Sequence, residues 1–125
     1  MKTPLIALAC AILLSITASA QTTTQPIDSL YIVTFTTGPS WDKSKSPGEQ
    51  TYFKEHGARL GQLRKDGIIK FGARYGDKGS IVISAKSFAD AKQIVEADQA
   101  VINKLFVADL QKLNIFYGGC LERPK

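Results

Sequence analysis

Cysteine and histidine are nearly absent from this chain, which has two of the first and one of the second in 125 residues. One histidine and a distant cysteine cannot supply the ligands of a zinc centre, and no acidic loop has calcium-site spacing, so no metal is expected. No glycine-rich loop follows a strand and opens a helix, which argues against a nucleotide cofactor. Nothing resembles a nucleophile elbow, so serine catalysis is not expected either. Basic residues outnumber acidic ones 16 to 11, yet they are scattered and Arg64-Lys65 is the only adjacent pair. Without a clustered basic footprint interleaved with aromatics, nucleic acid is not an expected partner. The mild excess, +5 in all and +4 once Lys2 is set aside, favours anionic small molecules or an acidic surface.

What is present begins with a leader. Lys2, the apolar run Leu5 to Leu14 and then Ala18-Ser19-Ala20 have the layout of a cleavable secretory signal over residues 1–20. A lipoprotein reading at Cys10 would place the cut inside the apolar run and leave a greasy mature start, so the Ala18-Ser19-Ala20 site is preferred. The run is short for a membrane span and no later stretch is longer, so an exported protein, periplasmic or secreted from a bacterium, without membrane attachment is expected. Removal of the leader leaves Cys120 alone, which rules out an intrachain disulfide and leaves stability to the core.

Residues 21–29 read as a disordered polar linker, residues 30–117 as one domain and residues 118–125 as a loose tail. Leu30 to Thr37 has the β-branched and aromatic content of a strand, apolar on both faces. A turn-rich loop carrying Trp41 leads to Ser46-Pro47-Gly48-Glu49, a capping pattern that predicts a helix from Pro47 to Asp66-Gly67. On that helix Phe53, His56, Leu60 and Leu63 share one stripe. Two strands come next, Ile68–Ala73 and Ser80–Ala85, joined through the loop Arg74 to Gly79. Ser87 caps a second helix whose inner side is Phe88, Ala91, Ile94 and Val95, and a short turn after Asp98 leads to a last strand between Val107 and Tyr117.

That order predicts an α+β, ferredoxin-like βαββαβ domain, an antiparallel sheet with two helices on one face. Because the first and last strands are apolar on both faces, the bare face is expected to be covered by a second copy in a sheet-to-sheet homodimer.

His56 is the candidate for chemistry, since imidazole titrates near neutrality and serves as general acid and base without a metal. The ordinary alternative is a core histidine bonded to a backbone carbonyl. Asp98, ending the second helix on the same side of the sheet, is the candidate carboxylate that would fix its tautomer, with Asp66 as rival. Arg59, Arg74 and Tyr75 are candidates for binding a carboxylate or phenolate, and Trp41 for walling a pocket.

The segments His56-Gly57-Ala58-Arg59-Leu60, Asp66-Gly67-Ile68-Ile69 with Gly72, Ser87 to Ala91 and Glu96-Ala97-Asp98 resemble the YCII-related (YciI-like) family of the dimeric α/β barrel superfamily over roughly residues 30–117. The resemblance implies a ferredoxin-like dimer with a His and Asp centred pocket, here His56 and Asp98. Where that family has prolines after the aspartate and after the second-strand glycine, this chain has Gln99 and Ala73. The superfamily holds lactone isomerases, monooxygenases and a dehalogenating member, so the reaction class stays open. Most family members lack a leader, which makes this an exported variant. The expectation is an enzyme acting on an aromatic or anionic small molecule through a metal-free acid and base pair of the lyase, isomerase or dehalogenase type. The competing expectations are a non-catalytic ligand-binding or stress protein of the same fold and an interaction module using sheet edges.

Overall fold

A computed structural model describes residues 28–121. The expected leader, Cys10, most of the linker and the last four residues lie outside the described residues. The chain runs β1 (Ser29–Thr37), a single 3₁₀ turn (Pro47–Glu49), α1 (Phe53–Lys65), β2 (Ile69–Tyr75), β3 (Lys78–Ala85), α2 (Phe88–Glu96), α3 (Gln99–Ile102) and β4 (Phe106–Lys112). The four strands form one open antiparallel sheet in the order β2-β3-β1-β4. This is the α+β class expected. The first strand begins one residue earlier than expected, since Ser29 already pairs with Ala85.

Alternation along β1 builds the core. Tyr31, Val33 and Phe35 are buried and, with Ile81 and Ile83 opposite them, pack against Leu63 of α1 and Ala91 and Val95 of α2. Both helices therefore lie on that face of the sheet. On the other face Leu30, Ile32 and Thr34 are half-buried and Val82 is buried. There β4 contributes Val107, Asp109 and Gln111, so its outer side is mostly polar rather than apolar as expected. Among the described residues no helix is long and apolar enough to cross a membrane.

Several boundaries differ from expectation for local reasons. The capping pattern at Ser46 makes only a 3₁₀ turn, with the Glu49 carboxylate accepting from the Ser46 amide at 2.9 Å and its hydroxyl at 2.7 Å. Tyr52 then takes a left-handed conformation, φ 69°, and α1 starts at Phe53 rather than Pro47. Asp66-Gly67 does close α1, Gly67 having φ 72°. The hairpin is tighter than expected, with Tyr75 paired to Lys78 across Gly76-Asp77. Ser87 caps α2 by accepting from the Asp90 amide, but Phe88 is half exposed and reaches the core only by the edge of Tyr31. The turn expected after Asp98 is the short helix α3, and β4 ends at Lys112 rather than Tyr117.

The loop between β1 and α1 is held from two sides. The Gly38 amide donates to the Leu105 carbonyl and the Ser40 amide to the Lys104 carbonyl, tying the loop to the α3–β4 junction. Buried Gln50 gathers its far side, accepting from the Asp42 amide and donating to the carbonyls of Asp42 and Lys45. These bonds satisfy backbone groups that lack strand or helix partners, and they fix where Trp41 stands.

Candidate active site

His56 lies on the first turn of α1 and is buried, 9% exposed. Its ring stands between two phenylalanines, Phe35 of β1 at 5.1 Å and Phe106 of β4 at 4.9 Å between centroids. Nδ1 is 2.7 Å from Oδ2 of Asp98, which is 2% exposed. The other Asp98 oxygen, Oδ1, accepts from the Ala100 amide at 2.9 Å and so caps α3. Asp98 thus joins the end of α2, the start of α3 and the histidine on α1.

Burial pushes the Asp98 carboxyl up. The hydrogen bond and charge of His56, the Ala100 amide and the Arg59 guanidinium outweigh that, and together hold it below its ordinary value. Asp98 is therefore a carboxylate at neutral pH. A carboxylate only accepts, so Nδ1 carries the hydrogen, and in the neutral ring Nε2 presents a lone pair. Among the described residues Nε2 has no hydrogen-bond partner, and it is the nitrogen left for the cavity that His56 lines.

That cavity has a volume of about 600 Å³, within the range of small-molecule sites. Its aromatic wall is Phe35, Trp41, Phe53 and Phe106, with Trp41 5.7 Å from Phe106 and Phe53 6.2 Å from it. Leu60, Gly72 and Ile81 add apolar surface, and Thr37, Arg74 and Asp77 add polar groups. One proton-accepting nitrogen is thus set in a largely apolar, aromatic chamber that has an arginine among its lining groups.

The structure distributes the sequence candidates unevenly. His56, Trp41 and Arg74 line the cavity, and Asp98 stands behind His56. Arg59 does not line it. Its guanidinium donates to the Ile94 carbonyl at 2.9 Å, bracing α1 against the end of α2, and its Nε is buried without a partner among the described residues. Tyr75 is half exposed and off the cavity. Asp66, the rival carboxylate, accepts from Gln62 on the surface. The aromatic wall of Phe35, Phe53 and Phe106 was not read from the sequence as a site. Among the described residues no three of His, Cys, Asp and Glu come together.

The Asp98 carboxyl gives a sign to acid stability. Its pKa is lower folded than unfolded, so as pH falls the unfolded chain takes the proton first. The stabilisation is complete above about pH 4, the unfolded value, and is lost as pH drops through the lower folded value. Asp42, held low by the Ser44 hydroxyl and amide, and Glu49, held low by those of Ser46, act in the same direction from the surface. Urea unfolding at graded pH should therefore show stability rising with pH through the acid range, with a shallower slope in Asp98→Asn. Equal slopes would mean that Asp98 titrates alike in both states.

Fold and site together define a small α+β domain in which a buried histidine and carboxylate pair opens on an aromatic chamber. Compared with known proteins, the chain matches no family model and no curated protein.

Proposed function

We propose that this chain is an enzyme acting on an aromatic or anionic small molecule, with His56 Nε2 as proton acceptor and donor. One observation carries the reading: Nδ1 is held by a buried carboxylate at 2.7 Å while the ring lines a cavity of about 600 Å³. Such a carboxylate orients the imidazole and stabilises the imidazolium that forms when Nε2 takes a proton. A core histidine bonded only to backbone, the ordinary alternative, would have no such partner.

The proton comes from a carbon or oxygen made acidic by a neighbouring carbonyl or ring. Returned to a different atom, it gives an isomerisation. If the electron pair of the broken C–H bond instead expels a leaving group from the adjacent carbon, the result is an elimination. The aromatic wall would stack on a planar substrate and Arg74 would meet a carboxylate or phenolate.

The same reading takes the domain as ferredoxin-like and YCII-related, exported and working as a homodimer through the open sheet face. The order of strands in the sheet supports the ferredoxin-like part of that reading, and the apolar Leu30, Ile32, Phe71 and Val82 on or beside the open face support the dimer.

Deuterium exchange in heavy water tests the chemistry, with NMR following the acidic C–H of a panel of aromatic oxo acids, phenylpyruvate among them. The chain should speed exchange above the buffer rate, and His56→Ala should lower that acceleration by about 10² to 10⁴ while keeping its circular dichroism spectrum. An unaccelerated panel, or equal acceleration in the folded variant, overturns the proposal.

A further inference from the structure

The cavity does not end at Arg74. Alongside it a second, open groove of about 1220 Å³ runs between the last turn of α1 and β2, and the two share Leu60, Gly72, Ala73, Arg74 and Ile81 in their walls. Arg64 and Lys65 of α1 and Lys70 and Arg74 of β2 line the groove, and among the described residues no carboxylate does. Among the described residues none of these four cations has a carboxylate within salt-bridge distance. The lysine and acid pairs that do form, Lys45 with Asp42 and Lys92 with Glu96, are elsewhere.

Four like charges gathered along one groove, none of them ion-paired among the described residues, raise its potential and favour an anion there. Arg64 and Lys65 in the last turn of α1 are partly accounted for by the negative end of the helix. Lys70 and Arg74 are on a strand and have no such counterpart. The groove also has an apolar strip, with Ile69 continuing from Leu60 and Ile81. A charged end group could be held at the cations while an apolar linker runs along that strip back to the cavity.

Resting on the reading of the cavity as a small-molecule site, we propose that its ligand is elongated, an aromatic head against His56 joined by an apolar linker to a phosphate-type anion held by Arg64, Lys65, Lys70 and Arg74. The guanidinium groups suit this end, since each presents parallel donors to phosphate oxygens. A single-ring carboxylate held at His56 and Arg74 would leave the rest of the groove unused.

Trp41, the only tryptophan, lines the cavity and reports occupancy by its fluorescence. The purified chain is titrated with ω-phenylalkyl phosphates of graded chain length and with the ω-phenylalkanols of the same lengths, so that linker hydrophobicity cancels in each pair. At an intermediate length the phosphate should bind about tenfold tighter than its alcohol, and the advantage should shrink as salt is added. In the double variant Arg64→Ala, Lys70→Ala, which keeps every residue of the cavity, the advantage should fall toward that of the shortest phosphate while the alcohols bind as before. Equal binding of phosphates and alcohols at every length, or an advantage that survives in the double variant, overturns the proposal. His56→Ala should retain the phosphate advantage, so loss of proton exchange and loss of anion preference are separately visible. A phosphate advantage with no exchange would sink the catalytic reading and leave this one standing.

Discussion

Asp98→Ala is expected to destabilise the chain by about 3–5 kcal/mol, the range for removing one partner from a buried pair. The side chain is 3% exposed and both its oxygens are in use. Losing Oδ1 uncaps α3 at Ala100, which costs about 1 kcal/mol. Losing Oδ2 leaves the His56 Nδ1–H buried without an acceptor, which costs about 1–3 kcal/mol. The remainder is the empty space and the uncompensated charge when the ring is protonated. Asp98→Asn fills the space, but its oxygen can keep the Ala100 amide only by turning its NH₂ group to Nδ1, which must then accept with the ring hydrogen moved to Nε2. It should fall between the parent and the alanine variant. Urea midpoints at neutral pH measure the series, and a loss under about 1 kcal/mol for alanine would show that solvent replaces the carboxylate and that the pair is not closed. In both variants proton exchange should drop by more than the folded fraction does, because the ring loses its fixed tautomer.

Gly38→Ala should be comparably severe, although its side chain would gain only one carbon. A methyl there collides with the Lys104 carbonyl oxygen and lies 2.9 Å from its carbon. The obstacle is backbone, and it is held in place because Lys104 has φ 59° and its carbonyl accepts from Ser40. Overpacking that side chains absorb costs about 1–3 kcal/mol. Here the chain must instead surrender the Gly38–Leu105 and Ser40–Lys104 hydrogen bonds, so a loss of about 3 kcal/mol or more is expected. The β1–α1 loop would move away from the α3–β4 junction and carry Trp41 from Phe106. A shifted tryptophan emission with an otherwise folded spectrum is the signature. An unchanged midpoint and emission would mean that the junction yields without penalty.

Some of this was legible along the chain. The alternation in Leu30 to Thr37 shows a strand that needs cover, and the stripe of Phe53, His56, Leu60 and Leu63 puts the histidine inward, because both patterns are set within a few residues. Ser87 and the Asp66-Gly67 step mark helix ends for the same reason. The pairing of His56 with Asp98 was reachable from the order of elements, since two helices on one face bring a first-helix residue near the end of the second. The capping pattern at Ser46 was legible but its length was not. The path of the chain beyond Glu49 depends on how Gln50 and Tyr52 fit a loop tied to residues far away in sequence.

The residues facing the cavity were decided elsewhere. By alternation alone Phe71, Ala73 and Tyr75 would share the face of Ile69. The bulge between Ile69 and Phe71 shifts the register, so that Gly72 pairs with Ile81 and Arg74 with Gly79 on the helix side. One inserted residue therefore selects Arg74 for the site and sends Tyr75 away from it. Phe106 reaches His56 only because β4 pairs with β1, at the other end of the domain's sequence. The sequence by itself determined the α+β class, the inward helix stripe and the one titratable ring, all from short-range periodicity and caps. The aromatic wall, the choice of arginine and the gathering of four cations along one groove were decided only by the tertiary structure, because strand register and bulges are settled by packing across the sheet.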